Sequence, residues 1–284
     1  METPLVSVIL PFLNPGPAFR AALRSIERQT YTNWELLLCD DGSTDGSLEL
    51  AKTIGDPRLV VWSDGKTKGL AGRLNECIGR ARGTLIARMD ADDISYPERL
   101  RLQVEYLQSQ PNIDVVGCGM LICEEDGSAI GKRLSPPDHA GVVANPALGF
   151  GLAHPTWMAR AEWYRQHLYD PTALRFEDIE LLYRAYERSQ FANLPGVHYG
   201  YREMRGGFSK RFRTRLGRIR YLRARNQELG TGLFLRAAAA EGFKTVMDAG
   251  LVTISARYQW LRIREEKLTA VEAEEWQSLV AVLA

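Results

Sequence analysis

Cysteine is scarce in this sequence, and the four that occur, Cys39, Cys77, Cys118 and Cys123, are scattered. The one close pair, Cys118 and Cys123, has neither zinc-type spacing nor a second pair nearby, which leaves four buried thiols in a reducing compartment. Long hydrophobic runs are missing as well, since none approaches the ~18 residues of a membrane span. METPLVSVIL has no basic residue ahead of its apolar run and passes quickly to Pro11 and Asn14, so it reads as a strand and not as a signal peptide. A soluble or peripheral protein of the cytoplasm is expected. Net charge is nearly absent too: 36 Lys and Arg against 35 Asp and Glu leave +1, so nothing global argues for nucleic acid.

What is present is ordinary globular material. The chain has 284 residues, 45% hydrophobic and 25% charged, enough for one large domain or one domain with an appendage. Val6-Ser7-Val8-Ile9-Leu10, closed by Pro11, has the nearly all-apolar character of a parallel strand covered on both faces. Ala18 to Gln29 carries a helical stripe of Phe19, Leu23 and Ile26, and a second apolar run, Trp34 to Cys39, ends at Asp40-Asp41-Gly42. Helix Gly46 to Ile54, strand Leu59 to Trp62, helix Gly69 to Ala81 and strand Thr84 to Met89 continue the rhythm. After Pro97 come a helix to about Ser109 and a strand Val115 to Ile122. A turn at Glu125-Asp126-Gly127 then favours a hairpin and ends the simple alternation. In such sheets ligands bind outside the carboxyl ends of the strands, here at Pro11, Asp40 and Asp90.

Acidic residues gather at those ends. In Asp40-Asp41-Gly42-Ser43-Thr44-Asp45 a carboxylate can accept from a ribose hydroxyl or a base N–H, although Asp and Ser also serve as ordinary turn and cap residues. Asp90-Ala91-Asp92-Asp93 places three carboxylates in four residues, and their repulsion calls for a cation or for donors. Hard oxygen ligands suit Mg2+ or Mn2+, with phosphate oxygens completing the shell. The plainer alternative is that Asp92 or Asp93 caps the helix beginning near Pro97. Glu177 and Asp178 open a helix bearing Ile179, Leu182, Tyr183 and Tyr186, as a site or as a dipole-matched start.

Taken in order, these pieces resemble the inverting family 2 glycosyltransferases with a GT-A fold. The resemblance runs from Val6 to about Ser209. It includes Gly69-Leu70-Ala71 with Arg73 and Asn75, Ala81-Arg82-Gly83, Asp90-Ala91-Asp92-Asp93 with Pro97, and Glu177-Asp178. It implies a Rossmann-like mixed α/β sheet with flanking helices, with a GT-A domain over 1–209 and a basic, helical extension over 210–284. It also implies that Pro11 and Asp41 line the base and ribose pocket, that Asp90 lies against the nucleotide, that Asp92 is the metal ligand, and that Asp178 is the general base. Lys68 and Arg73 are candidates for the diphosphate, though a helical basic residue is ordinarily solvated. His154-Pro155-Thr156 resembles a stretch that shapes a donor or acceptor pocket, while a lone His is ordinarily structural.

The expected reaction is in-line, inverting transfer of one sugar from a nucleotide-diphosphate sugar, a UDP-sugar by resemblance, to a glycan or lipid-linked hydroxyl. Cell-surface polysaccharide or glycoconjugate assembly is the setting. Processive synthases of the wider family carry membrane spans and a Gln-x-x-Arg-Trp sequence, and neither is found here. A sugar nucleotidyltransferase would open with a Gly-rich basic loop, whereas Pro11 to Gly16 holds no Lys or Arg. A non-catalytic nucleotide-sugar-binding protein would have lost carboxylates that this chain keeps. From Lys210 to Arg225 there are eight basic residues and no acid, interleaved with Phe212, Leu216, Ile219 and Leu222. That segment reads either as a helix on an anionic membrane, on its inner face, or as a packed helix with a solvated basic side.

Overall fold

The computed structural model describes residues 3–203, 208–225, 227, 231–251 and 265–283. Val6–Phe12 (β1) and Trp34–Asp40 (β2) are buried at every position and run parallel, Val6 opposite Trp34 and Phe12 opposite Asp40. Leu59–Ser63 (β3) joins β2 and Leu85–Arg88 (β4) joins β1, both parallel. Helices Ala18–Glu27 (α1), Ser47–Thr53 (α2) and Gly69–Arg80 (α3) make the crossovers. Val8, Leu10, Leu36 and Leu38 are fully buried in one layer and Ile9 and Leu37 in the other. Each contributes ~1.5–3 kcal/mol on leaving water, which is why these runs are apolar without alternation.

Past β4 the topology turns mixed. Ile94–Ser95 (β5), Arg99–Ser109 (α4), Val115–Cys123 (β6) and Ala129–Arg133 (β7) follow, with β6 and β7 antiparallel across the turn that contains Gly127. Then come His139–Val142 (α5), a single 3-10 turn at His154–Thr156, Met158–Arg160 (β8), Ala161–Gln166 (α6), Glu177–Ala185 (α7) and Phe191–Arg202 (β9). Among the described residues the sheet has nine strands in the order β3-β2-β1-β4-β8-β6-β9-β5, with β7 on β6. From the sequence no element is assigned to β9, which contains a Pro195-Gly196 step. The strand survives by bulging: pairing passes from Cys118 opposite Leu194 to Gly119 opposite Val197, so Pro195 owes the ladder no N–H.

Three longer helices close the chain: Phe208–Ala224 (α8), Thr231–Leu251 (α9) and Ala270–Leu283 (α10). Helix α8 meets α9 through Arg218 and Glu241, 2.6 Å apart and both buried. Helix α10 drives Trp276 beneath the β6–β7 hairpin, where its indole donates to Gly127 O at 2.8 Å. Gly200 on β9 makes room for that ring, since a Cβ there would lie 2.3 Å from Trp276 Cζ3. The four cysteines are free and buried. No helix among the described residues is long and apolar enough to cross a membrane.

Candidate active site

The loops after β1 and β2 are laced together. Asn14 and Gly16 turn the first with φ of 48° and 66°, and Gly42 turns the second with φ of 90°. Thr44 N donates to Asn14 Oδ1 at 2.7 Å, and Gly16 N to Asp45 Oδ2 at 3.0 Å. Asp40 accepts from Ser43 N at 2.8 Å and Ser63 Oγ at 2.7 Å. Burial pushes its carboxyl up, but these bonds outweigh it and the pKa falls below the ordinary carboxylate value.

Asp41 works across the chain. It accepts from Lys68 N at 2.6 Å, Gly69 N at 3.0 Å and Arg73 Nε at 2.9 Å, and so caps α3, whose own N-cap residue, Lys68, gives no side-chain bond. Arg73 is fully buried. Its other nitrogens reach Asp64 at 2.6 Å, Glu76 at 2.8 Å and the carbonyl of Lys66. Lys68 Nζ lies between Asp64, 2.6 Å away, and Glu76. Both cations expected at a diphosphate are therefore occupied by acids. Two further motif residues have structural work: Arg82 N donates to buried Glu35 at 2.8 Å, and Asn75 pairs reciprocally with the Tyr169 backbone at 2.9 Å.

The Asp90 cluster does not cap a helix. Helix α4 starts at Arg99 after Glu98, with no side-chain cap bond. Asp90 pairs with buried Arg88 at 2.5 Å, and its N–H donates to Tyr199 Oη at 3.1 Å. Asp93 is buried and accepts from Arg202 N at 2.7 Å. Asp92 is partly exposed, and no cation pairs with its carboxylate among the described residues. Burial, then the charge of Asp90, raises its pKa. Arg202 Nε holds the Asp92 carbonyl at 2.9 Å.

Glu177 and Asp178 occupy the first turn of α7. Burial, then the neighbouring charge of Asp178, lifts Glu177 to about 7. Burial likewise raises Asp178, opposed by the Ile179 backbone N–H and then by the charge of Arg88. Helix α7 is fastened from outside, where Tyr221 Oη donates to Glu180 at 2.6 Å and Arg218 donates to Tyr183 Oη, and the loop before it is held by Arg225, which pairs with Asp170 at 3.0 Å. Tyr221 also packs edge-on to Phe176, centroids 5.2 Å apart. Of the basic residues in 210–225, Arg215, Arg218 and Arg225 thus face internal acids, while Arg220 and Arg223 are exposed. The side chains of Lys210, Arg211 and Arg213 lie outside the described part. His154 is a core residue, its Nε2 sharing a 2.8 Å hydrogen bond with Tyr169 Oη, and burial keeps it neutral.

Two cavities meet at Pro11-Phe12-Leu13. One, about 520 Å³, is bordered by Asn14, Asp90, Asp92, Glu125 and Arg202. The other, about 420 Å³, is bordered by Asp41, Lys68, Gly69, Arg73, Arg175 and Glu177. Pro11 thus belongs to both, Asp90 and Asp92 to the first, and Asp41, Lys68 and Arg73 to the second. Asp178 borders neither, and its neighbour Glu177 does. Sequence reasoning passed over Arg88, Arg175 and Arg202. Only Arg88 carried a signal, as a charged residue inside an apolar strand.

The donor set suits a hard divalent cation. Asp92 supplies a carboxylate that no cation pairs with among the described residues and Asp90 a second; burial and then the charge of Asp90 raise Asp92, and a bound cation would offset both. Among the described residues no three His, Cys, Asp or Glu side chains form a closed metal cage, so phosphate or water would complete the shell.

Residues 7–168 match the model of a family described as Glycosyl transferase family 2. The chain is similar to the putative glycosyltransferase EpsE of Bacillus subtilis (strain 168), 37% identical over 215 residues that cover 73% of this chain and 76% of EpsE. It is 33% identical over 136 residues to the Escherichia coli UDP-Glc:alpha-D-GlcNAc-diphosphoundecaprenol beta-1,3-glucosyltransferase WfgD, covering 48% of this chain and 53% of WfgD. In structure it resembles S. aureus TarS 1-349 in complex with UDP-GlcNAc, with a TM-score of 0.61, 17% identity, and coverage of 98% and 80%. The mannosyltransferase PcManGT from Pyrobaculum calidifontis, in complex with GDP-Man and Mn2+, gives a TM-score of 0.59 and 18% identity, with coverage of 99% and 87%. These likenesses show the fold, the GT-A arrangement expected from the sequence.

Proposed function

The chain belongs to glycosyl transferase family 2, and from that premise we propose that it transfers one sugar, with inversion, from a UDP-sugar to a hydroxyl of a glycan or lipid-linked acceptor. The observation that carries this reading is the pair of cavities that share Pro11 to Leu13, one bordered by Asp90 and Asp92 and the other by Asp41 and Glu177. The names of WfgD, with its UDP-Glc donor and diphosphoundecaprenol-linked acceptor, and of TarS with UDP-GlcNAc support the substrate classes. Cell-surface polysaccharide or glycoconjugate assembly is the corresponding setting.

In this reading Pro11 and Asp41 bound the nucleoside pocket, and Asp41 is pre-set by its three donors so that binding needs no rearrangement of the carboxylate. Arg73 and Lys68 hold the wall around Asp41, and their contribution to the diphosphate is long-range charge. Asp92, with Asp90 beside it, holds Mn2+ or Mg2+, which when bound neutralises charge developing on the leaving diphosphate. Asp178 takes the proton from the acceptor hydroxyl; burial raises its pKa, which favours proton uptake, while the Ile179 backbone N–H and the charge of Arg88 oppose that rise. One observation favours Glu177 as the base instead: it borders the cavity, with its carboxyl lifted to about 7 by burial and the charge of Asp178, in the range suited to a general base near neutral pH.

Assays with a panel of nucleotide sugars and Mn2+ test the proposal, since a glycosyltransferase slowly releases nucleoside diphosphate even without acceptor. No release and no transfer from any donor would reject it. Asp178→Asn should keep UDP affinity and lose turnover; if Glu177→Gln does so and Asp178→Asn does not, the base is Glu177. In the same reading the segment 1–209 is the catalytic domain and 210–284 its extension. The extension meets the anionic inner face of the membrane through 210–225, with Arg220 and Arg223 exposed for the purpose. Flotation with vesicles containing phosphatidylglycerol checks this, and equal recovery with neutral vesicles counts against it.

A further inference from the structure

Three cations border the cavity of Asp41 and Glu177, and two of them are already neutralised. Arg73 divides its nitrogens among Asp41, Asp64 and Glu76, and Lys68 lies between Asp64 and Glu76. Arg175 differs from both. Its side chain is exposed at the cavity rim, and among the described residues no acid pairs with it.

Its backbone is also unusual. Arg175 has φ of 69°, and the only other non-glycine residue described with positive φ is Asn14, of a type that tolerates it and that borders the neighbouring cavity. The left-handed region costs a residue such as arginine on the order of 1 kcal/mol, which glycine would avoid. At this position the chain therefore carries a strained backbone and a guanidinium that no acid neutralises among the described residues, two residues before Glu177, whose carboxylate the Arg175 backbone N–H faces. Strain of this kind persists where the surroundings enforce it, and an arginine fork matches two oxygens of a phosphate.

We infer that Arg175 is a phosphate-binding residue, its guanidinium closing over a diphosphate oxygen of the ligand that enters this cavity. The inference rests on the nucleotide-sugar reading above and adds to it a named anion contact. The diphosphate belongs either to the nucleotide donor or to a diphospholipid acceptor, and the chemistry at Arg175 is the same for both.

Calorimetric titration of the full chain with UDP and with GDP in Mn2+ is the first measurement, on wild type and on Arg175→Gln, Arg175→Lys and Arg175→Gly. Losing a charge-assisted hydrogen bond should weaken diphosphate binding ~10-fold or more in Arg175→Gln, with uridine affinity unchanged and partial retention in Arg175→Lys. Arg175→Gly should lose the same affinity while its melting temperature holds or rises, because the strain is relieved; loss of affinity together with a lower melting temperature would point to folding and count against the inference. If nucleoside diphosphate affinity is unchanged and the KM for a diphospholipid-linked sugar in detergent rises ~10-fold, the phosphate is the acceptor's. Nucleotide affinity, donor KM and acceptor KM all within about twofold of wild type would overturn the inference. A wild-type protein that binds no nucleoside diphosphate would overturn the donor reading itself, and this inference with it.

Discussion

Replacing Glu241 by Gln tests whether the carboxyl-terminal helices are fastened to the catalytic body by charge. Glu241 is buried, meets Arg218 at 2.6 Å, and also receives Lys244 at 3.0 Å and Arg215 at 3.3 Å. Arg215 and Lys244 can turn to water, since their side chains are 15% and 38% exposed, whereas Arg218 at 9% cannot. The substitution leaves Arg218 a buried cation without its counter-charge, held only by neutral acceptors: the new amide oxygen, Tyr183 Oη and the Ala147 carbonyl. Removing one partner of such a pair costs about 3–5 kcal/mol. With an unfolding entropy of ~2.1 cal/mol/K per residue, a chain of 284 residues loses about 5–8 °C in melting temperature. Scanning calorimetry at fixed protein concentration reads this, and hydrogen exchange should rise over α7, because Tyr183 lies on it. The double variant Arg218→Met with Glu241→Leu should regain most of the loss, since Tyr183 Oη keeps its bond to Pro146 O at 3.0 Å. A Glu241→Gln protein melting within about 1 °C of wild type, or a double variant worse than the single, would refute the reasoning.

Glu177→Gln should change how stability depends on pH. Its carboxyl is raised from 4.5 to about 7 in the folded state, so the native protein binds that proton more tightly than the unfolded chain does, and stability falls as pH rises between those values. Relative to wild type the variant should gain up to about 3 kcal/mol between pH 5 and pH 8 in urea unfolding, and a constant offset would contradict this. Asp92→Asn removes a carboxylate that burial and Asp90 disfavour, so its melting temperature should hold or rise while Mn2+-dependent UDP affinity drops ~10-fold or more; equal affinity with and without Mn2+ in wild type would speak against the metal role. In Gly200→Ala the new methyl meets Trp276 at 2.3 Å, so the indole must leave Gly127 O. A loss of about 1–3 kcal/mol and a shift in tryptophan fluorescence are expected, and an unaltered spectrum would show that the ring has more room than its packing implies.

Local features of the chain reached far into this fold. The largely apolar strands β1 and β2 announce burial on both faces, and Asp90 to Asp93 follow a strand at the sheet edge where ligands bind. What stayed hidden depends on partners distant in sequence. Asp41 caps a helix that begins at Gly69, and nothing in Asp-Asp-Gly-Ser shows which N–H groups it will meet. Arg73 reads as a solvated helical cation until Asp41, Asp64 and Glu76 surround it. Strand β9 contains a Pro-Gly step that local rules treat as a stop, and only its pairing with β6 carries it through. The basic run after Lys210 looks like a single charged face, yet Arg218 and Arg225 turn towards Glu241 and Asp170, acids that lie on either side of it in sequence.

Pro11 to Leu13 is a partition common to both cavities, with Leu13 48% exposed at its edge. A wall with two faces cannot be moved for one occupant alone. A bulkier residue at Leu13 subtracts room from both sides, and a rotation of that side chain enlarges one chamber at the expense of the other. Fit on the two sides is thus linked through a single side chain, and reshaping the pocket for one molecule also retunes it for the other.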